Sequence, residues 1–222
     1  GLMRKAEDEA HFVEAHGIRL FYFADEAYPQ RLQECEDAPL MLYGLGDCDL
    51  DNKFALSIVG TRHATPYGID FTQKAISELA DSLPAKPMIT SGLAFGIDIA
   101  AHRAALKSAS PTVAVLAHGL KSIYPAVHRQ DATAIIDHGG MLLTEYTSDA
   151  PVHRGNFLAR NRIVAGLSDG TLVAESAVKG GAMVTASIAA AYSREVMALP
   201  GRISDSYSAG CNHLIRSNMA SL

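Results

Sequence analysis

From residue 54 onward the chain alternates short runs that are apolar at nearly every position with longer stretches that are apolar at every third or fourth. The short runs are FALSIVGT (54–61), KPMITSG (86–92), TVAVLAHG (112–119), MLLTEY (141–146), GTLVAES (170–176) and EVMALPG (195–201). A strand apolar on both faces must be covered on both, which is the condition of an interior strand in a parallel sheet. Between the runs, YGIDFTQKAISELADSL sets Ile69, Ala75, Ile76, Leu79 and Leu83 at helical spacing. IDIAAHRAALKSA, HRQDATAIIDH, NFLARNRIVAGLS and AMVTASIAAAYSR repeat that pattern. Strand and helix in alternation predict right-handed β-α-β units, hence an α/β fold with a doubly wound, mainly parallel sheet.

The first 51 residues read differently. They predict a strand at 18–23, a short helix after Pro29 and a second strand at 40–43, with DCDLDN (47–52) as the joint to the rest of the chain. This is a small subdomain or an extension of the sheet. The expected organisation is an N-terminal extension over 1–51 and a main domain over 52–222.

Composition changes this picture little: 222 residues with 48% hydrophobic and 19% charged positions suit one well-buried domain with a small appendage. Charge changes it more. The formal net charge is −5, but residues 1–51 hold twelve acidic against four basic side chains, and the remainder twelve against fifteen. The front is therefore acidic and the main domain slightly basic. Cys35, Cys48 and Cys211 are odd in number and widely spaced, giving neither a disulfide framework nor a zinc site. The histidines lack metal-ligand spacing, so no metal is expected. The apolar runs are too short to span a membrane and no charged-then-apolar leader opens the chain, so a cytoplasmic location is expected.

Glycine, serine and arginine gather where the predicted strands end. The elements are Gly60-Thr61-Arg62, Ser91 to Gly96, His118-Gly119, Glu175 to Gly181 and Pro200-Gly201-Arg202. In open α/β sheets the carboxyl edge holds the ligand crevice, where helix N-termini present free N–H groups and glycine lets an anion approach the backbone. Any one of these glycines is explained as well by a tight turn. Five such loops on one edge, two of them carrying arginine, favour a phosphate-bearing ligand. Arg62 is the first candidate.

The stretch HRGNFLARNRI (153–163) holds three arginines and no acid. Its helix starts on the side where the preceding strand ends, which places Arg154, Arg160 and Arg162 with the crevice. Arg160 and Arg162 are each equally well a solvated helix-face charge or a partner of Asp169 or Glu175. Tyr124, beside Pro125, and Phe157 are expected to pack in the interior rather than to stack a base. Asp98 and His102, four apart, are read as a helix-dipole carboxylate and its neighbour before an acid/base pair. Glu175 has no evident second partner. No catalytic residue is assigned and no cofactor is expected.

The ordered blocks YPQRL, APLMLYGLGD, SIVGTR, SGLAFGIDIAAHRAAL, GLKSIYPAVHR, GGMLLTEY, NFLARNRIVAGLSDGTLVAES, GGAMVTASIAA, ALPGR and GCNHLIR run from about residue 28 to 216. Together they resemble the DprA/Smf family, the DNA-processing protein A of bacterial transformation. That resemblance implies an extended Rossmann-like domain, a positively charged pocket for single-stranded DNA, homodimers, protection of incoming strands and loading of the RecA recombinase. It implies binding roles for Gly60 and Arg62, with Thr61 between them, for Ser91, Gly92, Gly96 and Asp98, and for Arg160, Asn161 and Arg162. Arg129, Arg154, Lys179 and Gly180 complete the candidate nucleic-acid-binding set. Two departures stand out: Ala126 occupies a position where relatives carry lysine, leaving Arg129 and His128 as the nearest cations, and SNMASL ends the chain where relatives continue into a winged-helix domain.

The rival reading is a nucleoside-monophosphate-hydrolysing enzyme of the lysine-decarboxylase-like (LOG) type. GLSDGTLVAESAVKGGAMVTA is loosely similar to that group's glycine-rich loop. The helix that should carry its glutamate, AMVTASIAAAYS, holds no carboxylate.

Overall fold

The structure is a computed structural model that describes residues 2–222. Six strands form the parallel part of the sheet: β3 (Ala55–Val59), β4 (Met88–Ser91), β5 (Thr112–Val115), β6 (Met141–Thr144), β7 (Gly170–Val173) and β8 (Glu195–Ala198). Two N-terminal strands, β1 (Arg19–Tyr22) and β2 (Met41–Gly46), extend it antiparallel beyond β6, giving the order β1-β2-β6-β5-β4-β3-β7-β8. The six apolar runs are therefore the six parallel strands. The chain steps from β3 outward to β6, then crosses back to β7 on the other side of β3. The topological switch point thus lies between β3 and β7, where ligands of open α/β sheets bind.

Two-residue periodicity decides which helix each strand residue meets. Ile58, Ile89, Leu172 and Ala174 pack against α3 (Pro66–Ser82) and α4 (Ile97–Lys107) through Ile76, Ile97, Ala101 and Ala105. On the same face, Ala114, Leu116 and Leu142 meet α5 (Arg129–Asp137) through Ala132 and Ile135. The alternate residues Val59, Val113, Val115, Leu143 and Val173 meet α6 (Arg154–Gly166), α7 (Gly181–Ala191) and α8 (Ala209–Arg216). The short α2 (Gln30–Gln33) joins this second layer through Leu32, with Tyr28 and Cys35 beside it. The acidic front thus shares one sheet and one core with the main domain.

One helix escapes the sequence reading. α1 (Leu2–Ala15) precedes the first predicted strand. Its inward stripe is narrow: Glu9, Phe12 and Val13 are half-buried and the other described side chains are exposed. Among the described residues no helix is long and apolar enough to cross a membrane.

An ionic fork ties the amino edge to the front. Arg31 donates from Nε to Asp169 Oδ1 at 2.6 Å and from Nη2 to Asp169 Oδ2 at 3.1 Å and to the Asn52 carbonyl at 2.9 Å. Asp169 Oδ2 also accepts the Ala55 N–H at 2.9 Å, so a single carboxylate fixes α2 and the start of β3. Bidentate, charge-assisted geometry makes this pair stronger than an ordinary surface contact. Asp169→Ala is expected to lower unfolding free energy by about 1–2 kcal/mol, read as a fall in the urea midpoint at unchanged m-value.

His102 on α4 is fully buried, and its Nδ1 lies 2.8 Å from Thr112 Oγ1. The Thr112 hydroxyl already donates to the Ile89 carbonyl at 2.7 Å, so it accepts the His102 Nδ1–H, and Nε2 is left bare and unpartnered. Burial pushes the imidazole down to about 3, helped by the Arg160 charge. The unfolded chain binds this proton near pH 6.5 and the folded chain does not, so stability falls as pH drops from about 6.5 towards 3. His102→Gln should flatten that limb of the stability–pH curve, measured by urea unfolding at stepped pH.

Candidate nucleic-acid interface

The loops at the carboxyl ends of β3, β4 and β7 enclose a cleft of about 140 Å³ at the switch point. Gly60 and Arg62 supply one wall, Phe157, Leu158, Arg160 and Asn161 of α6 a second, and Gly181, Ala182 and Thr185 of α7 a third. A smaller slot beside it is lined by Arg62, Gly92, Phe95, Tyr124 and Phe157. Five of the sequence-predicted residues, Gly60, Arg62, Asp98, Arg160 and Asn161, therefore line one cleft, and Gly92 lines the adjoining slot.

Arg160 lies on the floor, only 5% exposed. Its Nη1 donates to the Gly92 carbonyl at 2.9 Å and to the Val115 carbonyl, joining α6 to the ends of β4 and β5. Nε is buried with no partner. Burial pulls the guanidinium down from its ordinary value, Asp98 acts to raise it and Arg62 to lower it. Gly92 is glycine for this reason: a Cβ there would lie 2.5 Å from the Arg160 guanidinium carbon. Asp98, 7% exposed, accepts the Gly92 N–H at 3.1 Å and the Ala94 N–H at 3.4 Å, and burial pushes its carboxyl up. It does not bond His102, so the two form no acid/base pair.

The remaining predicted residues of these loops build the walls rather than face the cleft. Ser91 is fully buried, its hydroxyl donating to the Ile58 carbonyl at 2.6 Å. Thr61 donates its N–H to the Glu175 carbonyl at 2.7 Å and accepts the Ile97 N–H at 3.2 Å. Gly96 sits at φ +75°, and a Cβ there would come within 2.2 Å of the Thr61 carbonyl. Leu93, at φ 57°, holds the left-handed conformation without being glycine, and its carbonyl accepts from His128 Nδ1 at 2.8 Å. Glu175, 3% exposed, accepts the Thr65 N–H at 2.8 Å and the Thr65 hydroxyl at 2.6 Å. It therefore caps the start of α3 and is no arginine's counter-charge.

Arg162 corrects the expectation that three arginines converge. Two positions along a helix is a turn of about 200°, so Arg162 points away from Arg160. It pairs with Glu145 and donates to the Asp37 carbonyl, among the residues of the front. Burial pushes Glu145 up and Arg162 pulls it back. Arg129 begins α5 and Arg154 begins α6, both exposed on the carboxyl edge outside the cleft. Lys179 is exposed in the loop after β7, and Gly180 is the N-cap of α7.

Aromatic exposure is the feature sequence reasoning missed. Tyr124 is 44% and Phe95 46% exposed. Tyr124 meets Phe157 edge-on at 5.8 Å, and the Arg62 guanidinium lies over the Phe157 ring at 5.6 Å. A guanidinium held beside exposed rings can bind a phosphate while a ring receives a base.

Among the described residues, ion pairs engage Arg19, Arg31, Lys74, Lys86, Arg103, Arg162 and Arg194. Arg62, Arg129, Arg154, Lys179 and Arg202 are in none of them. No group of three or more His, Cys, Asp or Glu able to hold a metal ion occurs among the described residues.

Comparison with known proteins bears on the fold and the family. The chain is 38% identical over 210 residues to the DNA processing protein DprA of Streptococcus pneumoniae, covering 94% of this chain and 73% of that one. It is 40% identical to protein Smf of Escherichia coli over 213 residues, covering 96% of this chain and 56% of the relative. The solved structure of the pneumococcal protein superposes with a TM-score of 0.84 at 36% identity, over 96% of this chain and 74% of that one. The Helicobacter pylori DNA processing protein A, whose structure is described as showing a single-stranded DNA binding mode, superposes with a TM-score of 0.81 at 33% identity over 92% and 89% of the two chains. Residues 19–222 match the model of the DNA recombination-mediator protein A, and the chain belongs to that DprA/Smf family.

Proposed function

We propose that the chain binds single-stranded DNA along the carboxyl edge of its sheet and acts as a recombination mediator without catalysing a reaction. The carrying observation is the set of cations on that edge, Arg62, Arg129, Arg154 and Lys179, none in an ion pair, around a cleft floored by Arg160. Unpaired guanidinium and ammonium groups beside exposed aromatics suit an extended polyanion with splayed bases. The H. pylori relative's described binding of single-stranded DNA supports the same reading.

The acidic front does not oppose it. Screening confines its influence to about 10 Å at moderate salt, and the cleft lies at the opposite edge of the sheet from the Arg31–Asp169 fork. In this reading residues 1–51 are an acidic extension and residues 52–222 the DNA-binding domain. Incoming strands are protected during transformation, the RecA recombinase is the partner to which they pass, the working form is a homodimer and the location is the cytoplasm.

A nucleotide-hydrolysing role is disfavoured by the state of the nearby acids. The cleft's carboxylate, Asp98, is committed to two backbone N–H groups, Glu175 is committed to Thr65, and α7 carries no acid.

Single-strand binding is expected to weaken with salt at a log–log slope of roughly −0.7 per neutralised phosphate. Arg62→Ala should make that slope shallower by about 0.7 in oligo-dT titrations. Arg162→Ala, which breaks the pair with Glu145, should lower the melting temperature and leave the slope unchanged. Equal loss of slope in both variants, or turnover of a mononucleotide at an ordinary enzymatic rate, would contradict the proposal.

A further inference from the structure

The loop after β4, residues 92–96, holds a conformation that its sequence does not favour. Leu93 lies at φ 57°, in the left-handed region that residues with a Cβ rarely adopt. Gly96 in the same loop is left-handed too, and as glycine it is free to be. Leu93 has no such freedom, and its side chain is needed where it is, fully buried among Ile99, Ala132 and Ile135. An unfavourable backbone conformation persists only where the surroundings over-determine it.

Two side chains do so here, and they grip the two ends of one peptide group. The Leu93 carbonyl accepts from His128 Nδ1 at 2.8 Å, and the Ala94 N–H, in the same peptide plane, donates to Asp98 Oδ2 at 3.4 Å. A carbonyl oxygen only accepts, so Nδ1 of His128 carries a proton. Turning the peptide over to relieve Leu93 would break both bonds at once. Asp98 also acts on the charge of Arg160, so this peptide joins the floor of the cleft to the slot beside it. His128 reaches it from a different loop: it is 3% exposed and ends the single helical turn Ala126–His128 that follows Tyr124 and Pro125.

The side chain that this turn carries outward is Phe95. Its ring is exposed, meets the His128 ring edge-on at 5.0 Å, and lines the slot with Arg62, Tyr124 and Phe157. A ring fixed before the strand arrives stacks a base with little left to order.

We propose that His128 is a positioning residue for base stacking: its Nδ1–H holds the Leu93–Ala94 peptide in the left-handed turn, and that turn presents Phe95 to a base beside the phosphate taken by Arg62. The inference rests on the strand-binding reading above and adds which ring takes a base and what holds that ring in place.

The test compares dT15 with an abasic strand of the same length, both end-labelled and titrated by anisotropy. The abasic strand keeps the phosphates and has nothing to stack, so the ratio of the two affinities isolates the bases. The native protein should favour dT15 about tenfold or more. Phe95→Ala and His128→Phe should each cut that ratio about fivefold, the first by removing the ring and the second by removing the donor. His128→Asn places Nδ2 where Nδ1 stood, restoring a donor without the ring, and should keep most of the ratio. If His128 only filled space, Phe would serve and Asn would not, and that reversed order would overturn the inference. His128→Leu is a smaller variant without a donor and gives the same reading if His128→Phe does not fold. An undiminished ratio in Phe95→Ala would also overturn the inference. Equal binding of dT15 and the abasic strand by the native protein would do the same and leave strand binding standing. Failure of both strands to bind would remove the strand-binding reading itself.

Discussion

The buried guanidinium of Arg160 is the constraint on which the site depends. A charge taken out of water is unfavourable unless it is hydrogen-bonded or compensated. Here the Gly92 and Val115 carbonyls take Nη1, and Asp98 acts as an opposing charge behind it. These contacts come from the ends of β4 and β5 and the start of α4, so one side chain registers α6 against three other elements. Gly92 must lack a Cβ for the guanidinium to lie there, and Asp98 must be ordered by the Gly92 and Ala94 N–H groups to face it. The result is a positive group fixed in position before any ligand arrives, so little ordering is left for binding.

Arginines that join elements are in pairs: Arg31 with Asp169, Arg162 with Glu145, Arg194 with Glu34. Those on the carboxyl-edge loops are left unpaired. A chain of net charge −5 can therefore present a local positive field, because charges beyond a Debye length contribute little. Three acids of the front tie it to the rest of the chain: Glu9 accepts from Ser148, Glu34 pairs with Arg194 and Asp37 accepts from Tyr192.

Much of the fold was legible because it rests on periodicity. Strands covered on both faces have few polar positions to confuse the pattern, and all six parallel strands fell within the six apolar runs. The carboxyl-edge loops followed from the alternation, and with them Gly60, Arg62 and Arg160, while Asn161 followed from the family resemblance. α1 was not legible because it buries only a narrow stripe, and Arg162 was placed wrongly because a sequence shows that two arginines share a helix before it shows which way each faces. Applying the 200° between them would have separated them. Phe95 and Tyr124 were out of reach for a different reason: their exposure is set by how three loops meet, which no local pattern encodes. Ser91 carried the type of a ligand-binding residue, yet its hydroxyl is spent inside the sheet.

Arginine side-chain N–H resonances report most directly on whether a strand occupies this cleft, and Arg160 Nε–H is shielded from solvent exchange by burial. On titration with oligo-dT, the Nε–H signals of Arg62 and Arg160 should move together and saturate at one concentration, while those of Arg31 and Arg162 hold still. Movement of Arg162 with Arg62 and Arg160 unperturbed would place the strand elsewhere and contradict the account.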